Sequence, residues 1–237
     1  MDAAAPLFPP LITGAQVDID PFAAAVDLAR EGTPGGTLTF RDKDGTLSAA
    51  IVLTPELPLR QAMGVVLALQ VAVVDALGAS GPPELAVEVH WPDRMTLNGA
   101  GGPVWRFAAS TTDPDDEPLW LIGAVDLPCA PVSDNPGDTP GRTTLADEGY
   151  WPIDTTALLE SLSRHMLVWI NRFVDEGLAP VAATWCAKCP DIGGPITAPV
   201  AGRMLGLDET GGLLVSRDGR TEALPLTRAL TPPDALR

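Results

Sequence analysis

The stretch VEVHWPDRMTLNG, at residues 87–99, brings together side chains of types that could contact a ligand. An alternating, strand-like pattern ends at His90, a Trp-Pro pair turns the chain, and Asp93 and Arg94 follow before a second short strand. An imidazole, a carboxylate and a guanidinium beside an indole ring could form an active site, either intact or altered. The same residues could equally form an ordinary hairpin with a solvated turn, so the residue types alone leave both interpretations open.

The net charge of the chain indicates which classes of binding partner it would repel. The 237-residue chain has 31 acidic and 15 basic residues, a formal net charge of -16. Such a surface repels nucleic-acid phosphates and anionic lipid, so we predict no nucleic-acid partner and no membrane. The apolar run MGVVLALQVAVVDALGA is interrupted by Gln70 and Asp75, which indicates a buried helix. Three cysteines and no visible secretory signal predict a cytoplasmic protein.

The hydrophobic patterns predict an α+β fold. Asp20-Pro21 is a helix start, and Gly32 ends that helix. Two β-prone runs around the polar stretch 41–45 predict a hairpin with a tight turn. A long helix is predicted from Pro58 or Leu59 to Gly78. Further strands are predicted over residues 84–90, 95–98, 104–110 and 119–127.

The C-terminal part changes character. A connection rich in Pro, Asp, Gly and Thr runs from Cys129 to Tyr150, and a helix capped at Asp154 or Thr155 follows. Gly177 and Pro180 are expected to end this helix, whose core-facing side carries Leu158, Leu162, His165, Trp169 and Phe173. The later short strands broken by glycine predict a small β-barrel. We therefore expect two domains, residues 1–180 and 181–237.

Four segments resemble the biotin/lipoate protein ligase family, and biotin protein ligases in particular. GTLSAAIVLTPELPL is similar to the family's strand that leads through a proline into its long helix, and VHWPDRMTLNG to its KWPNDhhhNG motif. RTTL is similar to the Ala-Thr-Ser-Leu segment before the family's last catalytic-domain helix. The tail AGRMLGLDETGGLLVSRDGRTEAL is similar to its SH3-like C-terminal domain. The resemblance implies a ligase-like mixed sheet with helices, followed by a small SH3-like β-barrel.

The resemblance also implies where a ligand would bind. When the ligand-contacting positions of the family are transferred to this chain, the motif supplies His90, Trp91, Asp93, Arg94 and Asn98. The hairpin adds Arg41, and a later strand end adds Asp126. The family's lysines and arginine/glycine loop are replaced here. His90 stands at the first lysine position, the second falls near Gly101, and the loop is reduced to residues 41–45.

Such ligases form an acyl-adenylate from ATP and a vitamin acid and pass the acyl group to a carrier lysine, which requires cations near the α-phosphate. The altered motif therefore predicts a divergent member with weak or absent activity that binds a small carboxylic acid, an acyl ligand or a carrier domain. One alternative is an active biotin, lipoate or octanoate ligase or transferase using ATP with Mg²⁺. Another is a protein-interaction module without catalysis. A homodimer is compatible with each hypothesis.

We predict no resident metal site. Cys186 and Cys189 form a CxxC pair, but zinc needs four ligands and no second CxxC exists in the sequence. We interpret the pair as two incidental cysteines in a linker strand.

Overall fold

The computed structural model describes residues 5–131 and 141–231. Its main layer is a seven-stranded sheet in the order β1-β2-β3-β7-β6-β5-β4. The β1–β2 pair is parallel, and the other pairs are antiparallel. The α+β prediction is therefore confirmed. The strands of this sheet are β1 Thr13–Gln16, β2 Thr37–Lys43, β3 Thr46–Leu53, β4 Val87–His90, β5 Arg94–Leu97, β6 Ala100–Ala109 and β7 Leu121–Pro128.

The predicted first helix and hairpin are both present. Helix α1, Pro21–Arg30, begins after Asp20, whose side chain accepts a hydrogen bond from the Phe22 amide at 3.3 Å. Strands β2 and β3 are joined by Asp44-Gly45 alone, and both residues have positive φ, at 52° and 73°. This two-residue turn matches the twist of a hairpin. Strand β2 therefore continues through Arg41 to Lys43, further than the sequence indicated.

The predicted long helix is divided into α2, Leu59–Ala62, and α3, Val65–Ser80. The break falls at Met63-Gly64. A Cβ atom on Gly64 would lie 2.7 Å from the Phe173 ring, so this close approach requires glycine. The segment Leu59–Ser80 is long and apolar enough to cross a membrane by length and composition, but core helices of soluble proteins pass the same test, and 83% of its most apolar window is buried inside the protein.

Two further helices cover one face of the sheet together with α3. Helix α4, Thr155–Glu176, is capped by Asp154, one of the two predicted caps, and it packs along α3. Gly177, with φ of 77°, ends it. Pro180 does not, because it lies in the first turn of α5, Leu178–Ala187, where a missing amide proton costs little. On the predicted core side of α4, His165 is only half-buried, and its Nδ1 lies 2.8 Å from the Ser161 carbonyl oxygen.

After α5 the chain forms a separate four-stranded antiparallel sheet, which fits the predicted SH3-like C-terminal unit. Its strands are β8 Pro195–Ile196, β9 Gly202–Leu207, β10 Leu213–Arg217 and β11 Arg220–Leu224. The expected domain boundary after residue 180 falls inside α5 and stays a prediction. Of the connection predicted between Cys129 and Tyr150, residues 132–140 lie outside the described part.

Gln70 is fully buried in the mostly apolar helix α3 and binds two other parts of the chain. Its Nε2 donates to the Pro92 carbonyl oxygen at 2.8 Å, and its Oε1 accepts from the Trp185 indole at 2.5 Å. One amide side chain thus joins α3 to the β4–β5 turn and to α5. A buried polar residue without such partners would destabilise the fold.

We predict that Gln70→Met lowers the free energy of unfolding by about 2–4 kcal/mol, because it leaves a buried carbonyl and a buried indole N–H without partners. The same substitution at exposed Gln16 on β1 is the control, with an expected change within about 0.5 kcal/mol. Denaturant unfolding of the two variants measures both values. Equal stabilities would contradict the assigned role of Gln70.

Candidate functional site

Four of the seven predicted ligand residues lie in one line across the seven-stranded sheet. The pairing registers place Arg41 opposite Ser48, Ser48 opposite Asp126, and Asp126 opposite Val104. Val104 is opposite Arg94, which is opposite His90. We call these six residues the lateral row. Directly opposed residues project from the same face, and strands lie about 4.8 Å apart, so the row extends roughly 24 Å.

The lateral row lies on the face of the sheet that α1 covers. Thr39, two residues before Arg41 on β2, donates a hydrogen bond to the Pro21 carbonyl of α1 at 2.8 Å. Helix α1 packs its apolar side onto one half of this face, using Phe22, Ala25, Val26 and Ala29 against small and branched residues of β3, β6 and β7. The row occupies the other half, where Arg94 and Val104 are exposed. We call this half of the face the shelf.

An ion cluster lies at the border between α1 and the shelf. Arg106 on β6 donates to both carboxylate oxygens of Asp20, at 2.6 and 2.8 Å, and to Asp126 at 3.2 Å. Its guanidinium carbon also lies 4.8 Å from the Phe22 ring centroid. The hydrogen bond from Arg106 lowers the pKa of Asp20, and the same contact raises the pKa of Arg106. Two carboxylates therefore neutralise the cation at the border of the shelf.

His90 ends the lateral row and is held by groups on both sides of its ring. Its Nδ1 lies 2.6 Å from the Asp191 carboxylate, and its Nε2 lies 3.1 Å from the Thr96 hydroxyl. The Thr96 hydroxyl in turn donates to Glu88 at 3.0 Å. His90 is 7% exposed. These contacts tie β4 to the segment that leads into the C-terminal sheet.

The turn between β4 and β5 carries two more of the predicted residues. Trp91 is buried, and its indole donates to the Gly211 carbonyl at 2.9 Å, in the loop between β9 and β10. Asp93 is half-buried, and burial raises the pKa of its carboxyl. Trp91 therefore contacts the C-terminal unit, while Asp93 lies beside the Arg94 end of the shelf.

The remaining predicted residues differ in how firmly they are held. Asn98 lies away from the row, in the turn before β6, where it accepts from the Ala86 amide at 2.9 Å and donates to Glu148 at 2.5 Å. Arg41 makes one long contact, 3.4 Å, to the Asp18 carbonyl. Arg94 is exposed and forms no ion pair within residues 5–131 and 141–231. Arg41 and Arg94 are thus the two row cations without a carboxylate partner in the described chain.

This arrangement can bind an anion more readily than a metal. No group of three or more His, Cys, Asp or Glu side chains is placed to hold a metal ion in the described ranges. The exposed Val104 lies between Arg94 and Asp126 and offers an apolar surface beside a cation. A small molecule with a carboxylate at one end and an apolar body matches that pair.

Three contributors to the site were missed at the sequence level. Arg106 is the single charged residue in the strand segment VWRFAA, and this isolation was the available signal. Asp20 was identified only as a helix cap, and Asp191 was not identified at all.

Cys186 lies at the end of α5 and Cys189 just after it, not in the linker strand that was predicted. Burial raises the pKa of Cys189 to about 12. A thiol so held is a poor nucleophile.

The ion cluster predicts how the thermal stability of the protein changes at acidic pH. The folded-state pKa of Asp20 lies below the ordinary value of about 3.9, so its stabilising effect is present above that pH and is lost as the pH falls through the lowered pKa. Arg106→Met removes the cause of the shift. We expect the melting temperature of this variant to fall less than that of the parent between pH 5 and pH 3.

Arg94→Met is the matched control, because Arg94 is an exposed arginine on the same face without an ion pair in the described chain. The melting temperature of this variant should fall between pH 5 and pH 3 as much as that of the parent does. Parallel melting curves for the parent and Arg106→Met across this pH range would contradict the role of Arg106.

Comparison with known proteins agrees with this architecture. A profile of the Biotin/lipoate A/B protein ligase family matches residues 8–187. A biotin–[acetyl-CoA-carboxylase] ligase of Paracoccus denitrificans is 27% identical over 201 residues, 82% of this chain and 78% of the relative. A crystal structure of a biotin protein ligase-like protein of unknown function from a Silicibacter species is 38% identical, with a TM-score of 0.90 over 96% of this chain and 100% of that one.

The fold is also shared with a more distant enzyme. Biotin protein ligase from Aquifex aeolicus has a TM-score of 0.73 at 17% identity, over 90% of this chain and 95% of that one. Its complex with biotin and ATP has a TM-score of 0.68. The profile match covers most of the chain and includes every residue of the lateral row. The chain therefore belongs to the biotin/lipoate A/B protein ligase family.

Proposed function

We propose that this protein binds a small carboxylic acid on the shelf and activates it with ATP slowly or not at all. The observation that carries the proposal is which polar side chains on the α1 face already have a carboxylate partner among the described residues. Arg106 is bound by Asp20 and Asp126, and His90 is bound by Asp191. Arg94 and Arg41 remain for an anion. Two arginines suit one carboxylate better than a triphosphate with its several negative charges.

Adenylate formation also requires protection from water, because a mixed anhydride hydrolyses. The β2–β3 connection is the two-residue turn Asp44-Gly45, which is too short to fold over a ligand. Arg94 and Val104 are exposed on the shelf. A site so open, with the Asp20 and Asp126 carboxylates on the same face of the sheet, disfavours the negative charge that develops during adenylation.

Biotin is the first candidate for the acid. The relatives support it, because one is named a biotin ligase and another is a biotin ligase that binds biotin and ATP. Lipoate and octanoate are the other acids of the family. In the proposed arrangement Arg94 holds the carboxylate and the apolar body lies over Val104. A carrier domain of the kind biotin ligases modify is the proposed protein partner.

An active ligase is the second candidate, and the identity with the named Paracoccus ligase favours it. In that case His90 and Arg94 would contact phosphate, Arg41 or Lys43 would assist from the hairpin, and Asp93 or Asp126 would hold Mg²⁺. This hypothesis requires His90 to leave Asp191 or to carry that carboxylate into the site.

Calorimetric titration with biotin, lipoate and octanoate, each with and without ATP and Mg²⁺, tests the proposal. We expect one acid to bind without nucleotide and ATP–pyrophosphate exchange to remain near background. Arg94→Met should weaken binding of that acid about tenfold, as expected for the loss of one charge-assisted hydrogen bond.

Arg203→Met, an exposed arginine on β9, is the control and should leave the affinity unchanged. Rapid exchange that Arg94→Met abolishes would establish the second candidate instead. If none of the three acids binds, with or without nucleotide, both candidates are wrong.

A further inference from the structure

A second candidate ligand site lies on the opposite, helix-covered face of the sheet, away from the shelf. A cavity of about 360 Å³ opens between one end of the sheet, the start of α3 and the C-terminal half of α4. This volume is at the low end of the range for small-molecule pockets. Its floor and walls are buried aliphatic and aromatic side chains: Ile12, Ile51, Ala62, Val65, Leu121 and Phe173.

The lining chemistry indicates what the cavity can take. None of the described residues that line it is charged, although 19% of the whole chain is. The polar side chains at the cavity are the Thr54 hydroxyl and the Asn171 amide, and both residues are exposed. An uncharged, mostly aliphatic enclosure with two neutral hydrogen-bonding groups at its mouth fits an alkyl chain that ends in a neutral polar group.

The backbone conformation at the rim of the cavity is an independent observation that supports a ligand site. Leu11 has a φ of 71°, a conformation that a bulky residue rarely adopts, and its side chain is 78% exposed. The neighbouring Gly36 allows this, because a Cβ there would lie 2.1 Å from the Leu11 carbonyl oxygen. Val174 on the facing side of the mouth is also exposed, at 70%. Backbone strain that holds an apolar side chain in solvent at a cavity mouth is typical of ligand sites.

We propose that this cavity, lined by Ile12, Ile51, Ala62, Val65, Ile170 and Phe173, binds the unbranched alkyl chain of a neutral medium-chain amphiphile, with its polar end at Thr54 and Asn171. Leu11 and Val174 cover the first methylenes of the bound chain. The site is separate from the shelf, because the sheet itself lies between them. It therefore needs neither Arg94 nor the ion cluster.

The series 1-hexanol, 1-octanol and 1-decanol tests this site, since a neutral alcohol offers no carboxylate to the shelf. We expect the affinity to rise about fourfold for each added methylene until the cavity is filled, as burial of one methylene predicts. Ligand-observed NMR gives the affinities, and the rise in melting temperature gives an independent measure. Equal affinities across the series would overturn the proposal.

Cavity-filling variants locate the site. Ile170→Trp and Ala62→Leu should each reduce octanol affinity at least tenfold, and the smaller Ala62→Leu change guards against misfolding of the first variant. Val168→Trp places the same ring on the exposed side of α4 and should leave the affinity unchanged. Undiminished binding in both cavity variants would overturn the proposal.

Two further controls distinguish binding in this cavity from binding on the shelf and from a contact between two copies of the chain. Saturating biotin, lipoate or octanoate should not displace octanol. Displacement that is seen in the parent and lost in Arg94→Met would place the alcohol on the shelf instead. Light scattering should show that Ile170→Trp does not change the oligomeric state. A dimer that this substitution dissociates would show that a second copy of the chain covers the cavity, and would overturn the proposal.

Discussion

The strand register of the seven-stranded sheet is the constraint on which the site depends. Strands β3 and β7 pair over eight consecutive residues, from Thr46 opposite Pro128 to Leu53 opposite Leu121. Because side chains alternate between faces, a slip of one residue would turn every buried side chain of a strand toward the other face. The hydrophobic layer under α3 and α4 therefore fixes the register. The same register brings Arg41, Asp126, Arg94 and His90 into one line on the α1 face.

The Arg106 cluster then determines what the α1 face can bind. A guanidinium held by two carboxylates has a structural role, since Asp20 and Asp126 already compensate its charge. The cluster joins the start of α1 to β6 and β7 and separates the apolar half of the face from the shelf. This division explains how one face can pack a helix and still present polar groups, and it limits the phosphate-binding charge of the shelf.

The family motif could be predicted from sequence because it is local. The Trp-Pro turn, the Asn-Gly turn and the Asp20 cap each depend on residues within a few positions, so His90 and Arg94 of the lateral row were identified beside the first of them. Arg41 and Asp126 were identified through the family resemblance of their strand ends. Arg106 and Asp191 were missed because their partners lie 86 and 101 residues away along the chain. Such distant contacts are set by sheet order and by the position of the C-terminal unit, which local patterns do not contain.

Tertiary packing accounts for the break at Gly64 and for the helix that contains Pro180. Gly64 is required by the approach of Phe173, and Pro180 is tolerated at the start of a helix that packs on α3. Sequence periodicity predicted the helices but not where packing interrupts or restarts them. Packing on the helix side also leaves the apolar cavity beside α4. One sheet can therefore serve two chemistries, because alternation along its strands places charged groups on one face and aliphatic groups on the other.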